Sequence, residues 1–217
     1  MPVLDEGLVH VGIDSITLDG NLLVPSGATG IVLFAHGSGS SRFSSRNRYV
    51  ASTLREGNLG TLLIDLLTPR EEARDNVTAE LRFNIGMLAD RLVGTVEWLR
   101  AQPELHDMKI GLFGASTGGG AALVAAAARP AMIQAVVSRG GRPDLAGAAL
   151  PRVQAPTLLI VGGDDVPVIA MNRDAYDQMT CERRLEIVPG ATHLFEEPGT
   201  LEKVAELARD WFTRYLA

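Results

Sequence analysis

The chain has 217 residues, 46% hydrophobic and 21% charged, the composition of one ordinary globular domain spanning residues 1–217 with room for a substantial core. Its net charge of -6 excludes a general nucleic-acid surface, which needs a basic stripe. No run is apolar and long enough for a membrane span, Met1-Pro2-Val3-Leu4-Asp5-Glu6 lacks the pattern of a secretory signal, and the lone Cys181 has no internal disulfide partner. A cytoplasmic protein without nucleic-acid or membrane partners is the expectation.

In chain order, Val9 to Leu18 and Asn21 to Val24 flank Asp19-Gly20, a hairpin signal between apolar-rich segments. Ile31-Val32-Leu33-Phe34-Ala35 is a continuous apolar run. Tyr49 to Arg55 reads as a helix, and Leu62-Leu63-Ile64 as another buried strand. Ala79 to Arg100 is the longest helical stretch, with Leu81, Ile85, Leu88, Leu92, Val96 and Leu99 at helical spacing. Ile110-Gly111-Leu112-Phe113 follows, then a helix from Gly118 to Arg129 stopped by Pro130. Ala135-Val136-Val137, Thr157 to Val161 and Leu185-Glu186-Ile187-Val188 complete the strands, and Ile169 to Met179 and Leu201 to Leu216 the helices. Gly141 to Leu150 reads as a connection with one short helix, leaving no room for a cap domain.

Short apolar runs without polar alternation suit strands buried on both faces of a parallel sheet. Their alternation with helices predicts an α/β doubly wound sheet with an antiparallel amino-terminal hairpin. Ligands of such sheets bind at the carboxyl ends of the strands, here the loops beginning at His36, Asp65, Gly114, Ser138, Gly162 and Pro189.

Gly114-Ala115-Ser116-Thr117-Gly118 lies between a strand and a helix. A serine on that sharp turn stands clear of the sheet, and glycines two before and two after keep side chains out of it. Ser116 is therefore the candidate nucleophile, and its hydroxyl needs a base. Of the four histidines, His10 lies in the hairpin, His106 at the wrong end of a strand, and His36 precedes the serine. His193, after the last strand, is the candidate base. Gly162-Gly163-Asp164-Asp165 offers the carboxylate that orients it, with Asp165 first, Asp164 second and Asp144 third. One of the adjacent aspartates also suits a helix cap. The amide of Thr117, at a helix start, is one candidate oxyanion donor, and that of Ser38 in His36-Gly37-Ser38-Gly39-Ser40 is the other.

The order Ser116, Asp165, His193, the His36-Gly37 pair and the Gly-x-Ser-x-Gly turn resemble the α/β-hydrolase superfamily, and the short uncapped chain resembles its dienelactone hydrolase-like group. The resemblance implies a Gly-x-x-Asp pattern that puts Asp165 in the acid position, and an amide donated by Ser38. The group's namesake enzyme uses a cysteine nucleophile, so a serine here does not imply dienelactones. The expectation is a serine hydrolase of small or medium soluble carboxylic esters, working through an acyl-enzyme, losing activity at acid pH, and using no cofactor or metal. Acyl transfer, perhydrolysis, lactone hydrolysis or a catalytically silent binding module on the same fold are the alternatives.

A dinucleotide site fails because Arg42 stands where the fingerprint's third glycine belongs, and no lysine follows Gly114 to Gly120 as a phosphate loop requires. Arg42, Arg46, Arg48, Arg70, Arg139 and Arg142 gather near the expected active edge. Pairing with Glu71, Glu72, Asp75, Glu196 and Glu197 is their expected role, and an anionic substrate the alternative.

Overall fold

The computed structural model describes residues 4–217. Its strands are β1 (Leu4–Ile13), β2 (Ile16–Val24), β3 (Gly30–Ala35), β4 (Gly60–Ile64), β5 (Lys109–Ala115), β6 (Ala135–Arg139), β7 (Thr157–Gly162) and β8 (Arg183–Val188). The helices are α1 (Ser45–Glu56), α2 (Pro69–Thr78), α3 (Ile85–Ala101), α4 (Thr117–Ala128), α5 (Val166–Gln178) and α6 (Thr200–Leu216). The strands make one sheet in the order β1-β2-β4-β3-β5-β6-β7-β8. β1 and β2 pair antiparallel, β2 joins β4 antiparallel, and the remaining pairs are parallel. This is the α/β-hydrolase arrangement, with helices on both faces. Among the described residues, no helix is long and apolar enough to cross a membrane.

The unbroken apolar runs do what their composition dictates: every residue of β3, β4, β6 and β7 is buried. Alternate side chains feed two cores. Leu33, Leu62, Leu112 and Val136 meet Leu88, Leu92 and Val96 of α3 and the alanines of α4 on one face. Val32, Phe34, Phe113 and Ile160 meet Val50 and Leu54 of α1 and Val204, Trp211 and Phe212 of α6 on the other. The small residues of α4 let it lie close to the sheet, and this helix carries the elbow.

Four local readings of the sequence differ from the structure. The hairpin turns at Asp14-Ser15, where Asp14 adopts φ 51°, and Asp19-Gly20 lies inside β2. Leu18, Gly20, Leu22 and Val24 point inward from β2, and Asp19 faces out to bond His10 across the strands at 2.9 Å. Burial of that inward face in the core it shares with α3, with β2 paired edge to edge against β4, fixes the register against the local turn signal. The long helix is interrupted: Ala79 takes the left-handed conformation, Leu81–Phe83 form a 3-10 turn, and Asn84 caps the start of α3. α2 has no sequence-level counterpart because only Asp75 of it is buried, leaving no apolar stripe. Finally, Pro143–Arg152 is a 3-10 segment kinked at Gly147, not a loop with one short helix.

Candidate active site

Parallel pairing aligns the ends of the strands. Ala35 sits beside Gly114, Ala115 beside Arg139, and Gly162 beside Val188, so the loops after β3, β5, β6, β7 and β8 open on one edge.

Ser116 joins β5 to α4 at φ 50° and ψ -121°, a region a non-glycine residue occupies only when its surroundings hold it there. Its N–H donates to the Arg139 carbonyl at 3.2 Å, and its own carbonyl accepts from Gly119 and Arg142, each at 3.0 Å. The flanking glycines are sterically required. A Cβ on Gly114 would lie 2.5 Å from the Gly118 carbonyl, and one on Gly118 only 2.2 Å from the Ala35 carbonyl.

His193 lies after β8 in a braced loop. Thr192 is bonded through its amide (3.1 Å) and hydroxyl (2.6 Å) to Glu197, and Phe195 is buried beneath it. The Asp164 N–H donates to the Ala191 carbonyl at 2.9 Å and ties the loop after β7 to that loop. The Asp165 carboxylate meets His193 Nδ1 at 2.7 Å. Asp165 holds the cap position of α5, yet its side chain makes no capping bond, having turned to the imidazole. The Asp164 side chain is exposed, and Asp144 is bound by the Arg142 guanidinium at 2.7 Å. A carboxylate on Nδ1 fixes the tautomer that leaves Nε2 as the basic nitrogen.

Ser116 and His193 line one cleft of about 260 Å³, together with Ser38, Arg46, Asn47 and Arg139. They are not hydrogen-bonded to each other there. Thr117 occupies the first turn of α4, where an amide has no intrahelical acceptor. The Ser38 N–H is already engaged: it donates to Thr117 Oγ1 at 2.9 Å, so any other acceptor for that amide must displace the hydroxyl. Gly37 approaches Ser116 closely, since a Cβ there would come within 3.1 Å of Ser116 Cβ.

The other histidines have different work. His36 Nδ1 donates to the Gly37 carbonyl and Nε2 accepts from the Leu66 N–H, both at 3.0 Å. Burial pushes its pKa down, so the neutral ring stitches the end of β3 to the loop after β4. Asp65, just after β4, is consumed by Arg42, whose N–H (2.6 Å) and guanidinium both bind it.

Of the six arginines near the active edge, Arg42, Arg46 and Arg142 are ion-paired. Arg46 reaches Glu196 at 3.0 Å, while Asp75 and Glu71 are taken by Arg82 and Arg91 rather than by the arginines of the active edge. Arg139 is different. It is 5% exposed, has Asn47 Oδ1 as an acceptor at 3.1 Å, and its Nε has no partner. Burial, with Arg46 nearby, lowers its pKa to about 10. In the sequence it resembles the surface arginines beside it; the signal available is its place at the end of a short strand run, Ala135-Val136-Val137-Ser138.

The family model described as "Dienelactone hydrolase family" matches residues 49–216. A dienelactone hydrolase structure from Anabaena variabilis is 63% identical, covers 98% of this chain and 99% of its own, and superposes with a TM-score of 0.97. An esterase from Pyrococcus furiosus shares the fold at 16% identity, with a TM-score of 0.76 over 98% of this chain and 94% of its own. A Mycobacterium tuberculosis protein named "Putative phosphoribosyl transferase" is 55% identical over 216 residues, 99% of this chain. The chain spans 48% of that relative's length.

Proposed function

The chain belongs to the dienelactone hydrolase family, and from that premise we propose that it is a serine hydrolase acting on carboxylic esters of small or medium soluble substrates. Family and fold indicate a hydrolase; the serine mechanism and the ester are our reading. The observation that carries it is the 2.7 Å contact between Asp165 and His193 in a loop pair that shares one cleft with the strained Ser116.

His193 Nε2 takes the Ser116 proton as Oγ attacks the ester carbonyl, and the Thr117 amide receives the developing oxyanion. Ser38 joins it once the Thr117 hydroxyl gives way. The protonated imidazole, stabilised by ionised Asp165, then donates its proton to the departing alcohol. Water activated by the same nitrogen releases the acid. The cleft is open, so water reaches the acyl-enzyme, which favours hydrolysis over transfer to other acceptors.

The experiment is turnover of 4-nitrophenyl acetate by the wild type and Ser116→Ala. Loss of at least about 10⁴-fold in kcat/KM is expected for removal of a nucleophile that works as a unit with its base. Equal turnover by both proteins overturns the assignment. Phosphoribosyl transfer is the second reading, because the tuberculosis relative carries that name. We assign that name's activity to the half of the relative that this chain does not span. Consumption of phosphoribosyl pyrophosphate by this chain, undiminished in Ser116→Ala, contradicts that assignment.

A further inference from the structure

A buried guanidinium needs a reason. Arg139 sits at the end of β6, one hydrogen bond from the nucleophile's backbone, and lines the same cleft. It is 5% exposed and its Nε lacks an acceptor. Among the described residues, no carboxylate lines that cleft. A cation withdrawn from water without an anion is costly, and the cost is recovered when an anion arrives.

The start of α1 faces the same space. Ser44 caps it by accepting from the Asn47 N–H at 3.3 Å, and Ser44, Arg46 and Asn47 all line the cleft. The first turn carries no acidic residue, so nothing on the helix itself neutralises its positive end. Asn47 links the two features by accepting from Arg139, which fixes the guanidinium against the helix start at 3.1 Å. A helix N-terminus, a buried arginine with no carboxylate partner, a second arginine shared with Glu196 and serine hydroxyls approach from several directions. That arrangement suits a tetrahedral oxyanion with several acceptor oxygens better than a planar carboxylate, which a single guanidinium fork satisfies.

We propose that the substrate carries a phosphoryl group, held between Arg139 and the start of α1, while its ester carbonyl lies over Ser116. The phosphoryl group is a handle and is not cleaved; the bond broken remains the carboxylic ester. This inference rests on the hydrolase reading for its placement, but the anion site stands on its own residues.

The test uses three 4-nitrophenyl esters of similar acyl length: butyrate, hydrogen succinate and 3-phosphonopropanoate. In the wild type, kcat/KM is expected to rank phosphonate first, carboxylate second and neutral ester last. Arg139→Gln should cut the phosphonate-to-butyrate ratio by roughly 10- to 100-fold, the range for a charge-assisted contact, mostly through KM. Arg46→Ala, at a partly exposed position, should lower the same ratio without threatening the fold. Calorimetric titration of inorganic phosphate into the three proteins reads the site without turnover, and should show binding that weakens in both variants. A neutral ester processed as well as the phosphonate, a carboxylate preferred over it, or a ratio unmoved in both variants overturns the proposal. If no ester is turned over beyond the Ser116→Ala blank, the hydrolase reading fails, and phosphate binding lost in Arg139→Gln still supports the anion site. Absence of phosphate binding to the wild type rejects it.

Discussion

Replacing Asp165 by Asn tests the assignment of the acid with little change of shape. The carboxylate contacts His193 Nδ1 at 2.7 Å, and its side chain is 13% exposed against 37% for the histidine. In the proposed mechanism the ring becomes cationic beside a fixed negative charge as the proton leaves Ser116. With charge centres about 4 Å apart and an effective dielectric near 20, the attraction is about 4 kcal/mol, close to 10³ in rate. Asparagine removes that attraction, and its amide can also hold the ring in the wrong tautomer, so the expected loss lies between about 10³ and 10⁴ in kcat. The matched control is Asp164→Asn. Its carboxylate is exposed, while the bond that ties its loop comes from its backbone N–H, so a change below about 3-fold is expected. The assay is initial-rate hydrolysis of 4-nitrophenyl acetate at saturating ester, with circular dichroism to show that both variants fold. A ten-fold or smaller effect in Asp165→Asn, or a larger effect in Asp164→Asn, refutes the reasoning.

Gly118→Ala places a Cβ 2.2 Å from the Ala35 carbonyl and 2.6 Å from that of His36, both backbone atoms that cannot swing aside. A cost of about 2 kcal/mol or more, hence a Tm lower by about 4–8 °C, is expected by calorimetry, and an unchanged Tm contradicts it. Glu71 is bound by both terminal nitrogens of Arg91, which hold its carboxyl down to about 2 from an ordinary 4.5. A depressed acid stabilises the fold above its unfolded pKa and loses that contribution as pH falls through the folded one, here between 4.5 and about 2. Glu71→Gln should therefore be less stable than wild type by about 1 kcal/mol at pH 7, after screening of a partly exposed pair, with the gap closing near pH 2. Urea titrations at both ends of that window check this, and a constant gap contradicts it.

The central sheet was legible because β3 to β7 are short apolar runs, and burial on both faces leaves such runs no other use. The elbow was legible for a related reason: Gly114 and Gly118 stand where backbone carbonyls approach within 3 Å of any Cβ. The run Gly162-Gly163-Asp164-Asp165 offers two adjacent carboxylates, of which Asp165 contacts His193 and Asp164 is exposed. What escaped has physical causes. α2 buries only Asp75, so hydrophobic periodicity had nothing to register, although Thr68-Pro69-Arg70-Glu71 held a capping-box signal that the structure uses. Asp19-Gly20 is a good local turn, overruled by pairing of β2 with β4, and pairing between distant strands leaves no local mark. The engagement of the Ser38 amide by Thr117 depends on two loops 79 residues apart. Arg139 looked like its neighbours because charge is visible in a sequence and the absence of a partner is not.

The most direct measurement is peptide mapping of the protein after reaction with a fluorophosphonate, which captures an activated serine covalently. One adduct is expected, on the peptide bearing Ser116, with its formation slowed sharply in His193→Ala. A stoichiometric adduct on another residue, or none on a folded protein, contradicts it.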